Sequence, residues 1–320
     1  MLKTLGKSVR EFKKPALLTP VFVALEVVMD VIIPLLMAKL IDEGVYAGDM
    51  SAVSKIGLQL VFAAFLALIF GCLSGVSAAK ASAGFAKNLR KDLYYKVQDF
   101  SFSNIDKFST ASLVTRLTTD VSNVQQAFQM LTRITVRAPL MLISSVIMAV
   151  SINAKLSLIL LLVAPIVAIA LFFGLRYVHP IMEGVFKKYD NLNAVVEENV
   201  NGIRVVKSFV TEEKEKNKFK KVSKDIYDSF TKAEKIIALN GPVMQFAIYL
   251  CIILISWFGA QIIVNTNMTD LTTGQLSTFI TYSTQILSSL MMLSMVMVNI
   301  IISKSAALRI YEVLNEKTSI

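Results

Sequence analysis

The chain is 320 residues long, 55% hydrophobic and 18% charged, with a mean hydropathy of +0.61, which excludes a disordered or collagen-like chain and points away from a water-soluble protein. Its 33 basic and 23 acidic residues leave a net charge of +10, too many charges for a wholly lipid-buried protein, so apolar and charged stretches must be segregated along the sequence. The two cysteines, Cys72 and Cys251, both sit inside apolar runs, which excludes a disulfide scaffold and a Cys-rich zinc site.

Crossing ~30 Å of hydrocarbon at 1.5 Å per residue takes about 20 apolar residues in a helix. Six stretches meet that requirement, near 16–41, 56–79, 138–153, 156–175, 241–264 and 275–302. The first follows a basic N-terminus and runs past signal length without a small-residue cleavage pattern, so it is read as an anchor that stays. Glu26 and Asp30 stand four residues apart on one face of it. An ionised carboxylate there costs several kcal/mol unless it faces water or a partner. Two readings follow: exposure to a water-filled substrate cavity, or a structural bond to a neighbouring helix near Pro34. Asp42 and Glu43 come next, at the outer end, where Gly44 and Gly48 break the helix; an outer gate and an ordinary solvated loop both fit.

In the second stretch Gly71, Gly75, Ala78 and Ser82 form a small-residue face, read as helix packing. The connection 80–137 then carries a helix-period stripe, Leu113, Leu117, Val121, Val124, Phe128, Leu131 and Ile134, so it is two amphipathic helices running out and back, with a break near 101–110. Arg133 and Arg137, like Arg176 and Lys304 further on, fall where stretches leave the membrane and are expected to snorkel to headgroups. The third and fourth stretches are joined only by a few residues around Asn153, a tight turn.

The connection 176–239 repeats the out-and-back pattern with Ile181, Val185, Tyr189, Leu192, Val196, Asn199 and Ile203, then Phe219, Val222, Ile226, Phe230, Ala233 and Ile237, around a break near 207–216. Thr211 is placed to cap the returning helix, with Glu212 and Glu213 in its first turn, where the dipole favours acids. The last stretch presents Thr281, Gln285, Ser288, Met292, Met295 and Asn299 along one face. Flexible, polarisable methionines beside hydrogen-bonding groups suit a promiscuous apolar pocket, although helix packing explains the same residues. Gln245 and Tyr249 of the fifth stretch are candidates to join it.

Of the 33 basic residues, all but Lys39, Lys55 and Lys155 lie in the N-terminal segment, the two long connections or the tail. The positive-inside rule therefore puts both ends and both connections in the cytoplasm. Leaflet-facing charge explains the basic legs without nucleic acid. The single histidine, His179, has no Cys or carboxylate cluster at ligand spacing, so no metal site is read, and no Ser/His/Asp grouping offers a nucleophile. Gly6, Lys7 and Ser8 form a chance triplet without the first glycine and preceding strand of a phosphate-binding loop.

PVFVALEVVMDVIIPLLMAKLIDEGV at 20–45, LRKDLYYKVQDFSFSNIDKFSTASLVTRLTTDV at 89–121, VRAPLMLI at 136–143, EENVNGIRVVKSFVTEE at 197–213 and QILSSLMMLSM at 285–295, in this order over the chain, resemble the transmembrane half of bacterial ATP-binding-cassette exporters of the multidrug type, in particular subunits that pair as heterodimers. The resemblance implies an all-α membrane fold, six transmembrane helices with long cytoplasmic extensions (type IV-like), over 1–315. It implies coupling helices at the two tips, the first with Ser101, Phe102, Asn104, Asp106 and Phe108, the second with Phe209, Thr211, Glu212 and Glu213. These would dock on nucleotide-binding domains that hold ATP and Mg2+, while the fourth and fifth spans cross to the partner subunit. The partner half is expected to be a different subunit, with an identical one as the alternative. Such exporters continue into an ATPase domain, so 316–320 is read as the start of a linker to it, and residues 1–320 are not expected to hydrolyse ATP. The expected cargo is an amphipathic or lipophilic small molecule taken from the inner leaflet of a bacterial cell membrane. Export of a lipid, peptide or haem-like ligand remains open, as does a membrane scaffold that docks partners without transport.

Overall fold

A computed structural model describes residues 1–317. The tail 318–320, within the expected linker, and the side chain of His179 lie outside the described residues. Those described form helices without a strand among them: α1 (Leu2–Gly6), a 3-10 segment (Lys7–Phe12), α2 (Lys13–Lys39), a π-turn (Leu40–Val45), α3 (Met50–Gln98), α4 (Phe102–Phe108), α5 (Thr110–Thr115), a second π-turn (Arg116–Asp120), α6 (Val121–Ile152), α7 (Ala154–Asn201), α8 (Ile203–Ser208), α9 (Glu212–Asn265) and α10 (Thr273–Asn315). Six helical stretches are long and apolar enough to cross a membrane: Thr4–Val45, Met50–Gln98, Thr110–Ile152, Ala154–Asn201, Glu212–Asn265 and Thr273–Asn315. Each overlaps one of the six apolar stretches expected from sequence, the third of which, 138–153, runs one residue past Ile152. At 42 to 54 residues each is roughly twice the length that ~30 Å of hydrocarbon requires.

The helices fall into two compact units, Met1–Ala164 with Leu250–Ile320, and Pro165–Tyr249. In the first, α2 packs along α3, and α6 along α10. The turn between α6 and α7 is the single residue Asn153: its backbone is extended (φ −154°, ψ 108°), and its side chain accepts the Leu156 amide at 2.9 Å, capping α7. The polar base of this unit is closed by an apolar cluster in which Leu89 and Leu93 of α3, Val121 of α6, Ile310 and Val313 of α10 and Phe108 of α4 are buried, with Leu117 and Phe128 packed against it. Each such side chain contributes about 1.5–3 kcal/mol, an upper estimate because unfolded chains also bury surface. The stripe from Leu113 to Phe128 therefore faces inward as its spacing requires, whereas Leu131 further along the expected stripe is exposed.

The N-terminal segment is tied to the same base. Asp92 accepts Ser8 Oγ at 2.7 Å and Arg10 at 2.7 Å, and the buried Asn88 donates to the Ser8 carbonyl at 3.0 Å. Gly84 of α3 lies against the Phe12 ring with no room for a Cβ. In the second unit the out-and-back pair buries only a narrow seam, including Val185, Val195, Ile226 and Ala233, while Tyr189, Val196, Phe230 and Ile237 of the expected stripes stay exposed. Two helices cover less than the full width of an apolar face. Lys218 pairs with Glu198 at 2.6 Å, and Asn199 donates to Glu215 at 2.7 Å. The outgoing helix ends at Asn201, earlier than the expected break near 207, because Gly202 follows and glycine in a helix loses the most backbone freedom.

At the foot of α10 Arg309 donates two bonds to Asp120, at 2.8 and 2.5 Å, with Asp120 almost fully buried. Those bonds hold the Arg309 guanidinium protonated to still higher pH than usual. Arg116 donates to the Arg309 carbonyl at 2.6 Å and lies 4.9 Å from the centre of the Phe108 ring. Asp120→Ala leaves Arg309 without its acceptor and is expected to cost about 2 kcal/mol, read as a lower midpoint of thermal unfolding in detergent; an unchanged midpoint would contradict a structural clamp.

Candidate functional site

Glu26 is buried inside α2, and its carboxylate accepts Arg137 of α6 at 2.7 Å and Ser74 of α3 at 3.3 Å. Asp30, one turn on, accepts the other terminal nitrogen of the same guanidinium at 2.9 Å. The planar fork of arginine suits two carboxylates at once, and each bond is charge-assisted. The side chains of Asp30 and Arg137 are 23% and 30% exposed against 9% for Glu26, so the triad has a sealed end and an open edge. Two formal negative charges meet one positive. The expectation that Arg137 snorkels to headgroups is corrected: acids on the neighbouring helix hold it. Gly71 belongs to the same site, since a Cβ there would sit 3.4 Å from the Glu26 carboxylate. The small-residue face of α3 therefore makes room for a charged side chain as well as for a helix.

A row of donors on α10 meets the same part of α2. Thr278 donates to the Pro34 carbonyl at 2.6 Å, Tyr282 to the Val31 carbonyl at 2.7 Å, and Gln285 to the Asp30 carbonyl at 3.3 Å. Gln285 also accepts Ser145 of α6 at 3.0 Å. Val27, Val31, Met141 and Tyr282 pack as one buried apolar cluster beside this row. Of the stripe expected to line a cavity, Gln285 is thus engaged between helices. Thr281, Met292 and Met295 are exposed, while Ser288 and Asn299 are half-buried, and Asn299 donates to its own helix at the Met295 carbonyl. Gln245 and Tyr249 are exposed on α9 in the second unit. Sequence reading passed over Thr278, Tyr282 and Ser145; the 4, 3 spacing of Thr278, Tyr282 and Gln285 was the available signal.

At the other end of α2, Asp42 accepts the Thr272 hydroxyl at 2.5 Å and the Gly274 amide at 2.9 Å. Thr272 itself caps α10 by a reciprocal pair with Gln275. Asp42 thus binds the start of α10, while Glu43 is exposed. Gly44 does not end the helix, which runs on as a π-turn to Val45.

The first tip is α4, opened by Ser101 and Asn104 in a capping box. Phe102 is 90% exposed and Asp106 is also outward, whereas Asn104 and Phe108 are buried. Asn104 donates to the Lys317 carbonyl at 3.1 Å, Lys107 pairs with Glu316 at 2.8 Å, and Phe108 stacks on Phe100 at 5.7 Å. Buried Asn104 and exposed Lys107 fasten the tip to the end of α10, leaving Phe102 and Asp106 outward. In the second tip Phe209 and Val210 are 74% and 79% exposed, with Val210 at φ +50°, a region costly for a β-branched residue. The Thr211 carbonyl accepts the Lys214 and Glu215 amides, and its hydroxyl donates back to the Val206 carbonyl at 3.5 Å. Hydrogen bonding to its own backbone amide, then to Lys207, holds the Glu212 carboxyl below its ordinary pKa. Glu213 pairs with Lys216 at 2.7 Å. Two grooves flank this hairpin, one of 570 Å3 by Tyr189 and Phe230 and one of 430 Å3 by Ile203 and Phe219; none of the expected cavity residues lines them.

In the Gly6–Lys7–Ser8 triplet the Ser8 hydroxyl donates to Asp92 and the Ser8 carbonyl accepts from Asn88. For the outer acids, Asp42→Ala is expected to cost about 1 kcal/mol through the lost cap, whereas Glu43→Ala should stay within about 0.5 kcal/mol. Thermal unfolding of the two variants checks this, and equal effects would contradict a capping role for Asp42.

The profile of the ABC transporter transmembrane region matches residues 17–290. Similar proteins include the "Uncharacterized ABC transporter ATP-binding protein YfiB" of Bacillus subtilis, 31% identical over 90% of this chain and 50% of its own length. A similarly named protein of Mycobacterium tuberculosis is 26% identical over 98% of this chain and 54% of its own. A "Putative ABC transporter ATP-binding protein" of Mycoplasma pneumoniae is 26% identical over 96% and 54%. The chain spans about half the length of the curated relatives it matches. With six membrane-length helices and a profile match over most of its residues, the chain belongs to the ABC transporter transmembrane-region family.

Proposed function

We propose that the chain is the membrane-spanning half of an ATP-driven exporter that moves amphipathic or lipophilic small molecules outward by alternating access. The observation that carries this reading is the pair of exposed aromatics, Phe102 at 90% and Phe209 at 74% exposure, in short segments that join helices roughly twice bilayer length. Large apolar side chains at the watery ends of long levers favour a docked partner. The partners proposed are nucleotide-binding domains, holding ATP and Mg2+ outside residues 1–320, and a second transmembrane half, with a different subunit favoured over an identical one. The relatives' printed names, ABC transporter ATP-binding proteins, support the nucleotide link.

Charge asymmetry supports a bacterial cell-membrane location with both termini cytoplasmic. The cavity we propose takes its wall from the exposed Met292, Met295 and Thr281 of α10 and from the open edge of the triad at Asp30. The net negative triad favours cationic lipophiles over anionic ones.

Phe102→Ala and Phe209→Ala, made separately in the full-length protein with its partner, are expected to weaken docking by about 2 kcal/mol each, roughly thirtyfold. The readout is ATPase activity stimulated by lipophilic cations, together with their transport into inverted vesicles. Stimulation and transport unaffected by either change, or absent across a broad panel of compounds in the unaltered protein, would overturn the reading.

A further inference from the structure

Pro34 lies inside α2. Proline has no N–H, so the carbonyl four residues earlier loses its helical donor, and the ring crowds that carbonyl aside. Here that carbonyl belongs to Asp30. It accepts instead from the Gln285 side-chain amide of α10 at 3.3 Å, and the next carbonyl, Val31, accepts from the Tyr282 hydroxyl at 2.7 Å. Among the described contacts, the carbonyls that Pro20 and Pro139 would free, at Ala16 and Thr135, draw no donor from another helix. Helix α10 thus meets the proline site of α2 with a matched donor.

The bond also closes a circuit. The Asp30 carboxylate holds Arg137 of α6, the Gln285 carbonyl oxygen accepts Ser145 two turns further along α6 at 3.0 Å, and the Gln285 amide returns to the Asp30 backbone. One residue of α2 is therefore gripped by its side chain from α6 and by its backbone from α10. An unsatisfied carbonyl in an apolar span is costly, and a proline-broken ladder leaves the helix free to bend there.

We propose that Gln285 is a positioning residue: it supplies the hydrogen bond that Pro34 withholds from the Asp30 carbonyl, so that the position of α10 sets the bend of α2 and with it the aim of the Asp30 carboxylate at Arg137. Movement of α10 relative to α2 trades this bond for an open carbonyl and lets the outer half of α2 swing. Only that last step, bending as part of a transport cycle, rests on the proposed export function; the pairing of Gln285 with Pro34 stands on the hydrogen bonds.

The test is a double-mutant cycle in the full-length protein. Gln285→Met removes the donor at similar volume, and Pro34→Ala restores the backbone N–H. Gln285→Met is expected to lower the midpoint of thermal unfolding by a few degrees in the Pro34 background and by clearly less beside Pro34→Ala. Thr278→Val, which removes a donor to the Pro34 carbonyl, should cost the same in both backgrounds. Spin labels at Met37 of α2 and Leu58 of α3, both exposed, with Cys72 and Cys251 replaced, read the bend directly. Gln285→Met should broaden or shift their distance distribution, whereas Ser145→Ala, which leaves the Asp30 bond in place, should not. An equal cost of Gln285→Met in both backgrounds, or a label distribution that Ser145→Ala changes as much as Gln285→Met, would overturn the proposal. Neither readout requires transport, so failure of the export reading is seen separately.

Discussion

One guanidinium decides how the first membrane helix is held. Arg137 reaches from α6 to two carboxylates of α2. In an apolar span none of the three charges is tolerable alone, because isolated charges there cost several kcal/mol and the cost is met only by close, well-shaped partners. The register of α2 against α6 is therefore fixed to within a hydrogen-bond length. The other polar contacts at this level, Ser74 to Glu26 and Gln285 to Asp30 and Ser145, build outward from it. The sealed Glu26 end acts as an anchor, and the Asp30 edge is the more open part of the triad.

Below this the same helices are fastened a second time by different chemistry. Asp120, Arg309 and Arg116 join the foot of α10 to the π-turn before α6, and Asn104 and Lys107 join α4 to the end of α10. Helix α4 is thus fastened to the end of α10 by a neutral bond and an ion pair, and α10 is the helix whose side chains meet the proline site of α2. α4, the foot of α10 and the triad lie along one connected set of contacts within a single compact unit.

Much of this architecture could be read from sequence because the signals were local. Twenty-residue apolar runs, the stripe from Leu113 to Phe128 and the polar break at Ser101 each depend on residues a few positions apart. Partner identities were not local. Glu26 and Asp30 stood out as costly, but their cation lies 111 and 107 positions away, and Arg137 looked like one of several arginines at a membrane edge. Asp42 was legible as an acid at a helix end, yet its role depends on Thr272 and Gly274, 230 and 232 positions on. The polar stripe of the last helix marks Gln285 but does not reveal its partners, the Asp30 carbonyl 255 positions away and Ser145 140 positions away. At the first tip, spacing located α4 but did not divide outward Phe102 and Asp106 from inward Asn104 and Phe108.

The most direct measurement is thermal unfolding of Arg137→Met beside the triple variant Glu26→Gln, Asp30→Asn, Arg137→Met, both in the same detergent or nanodisc. If the guanidinium holds α2 by compensating two carboxylates, removing it alone strands them and costs about 3–5 kcal/mol, while removing all three charges recovers most of that loss. A triple variant as unstable as the single one, or a single variant as stable as the unaltered protein, would contradict it.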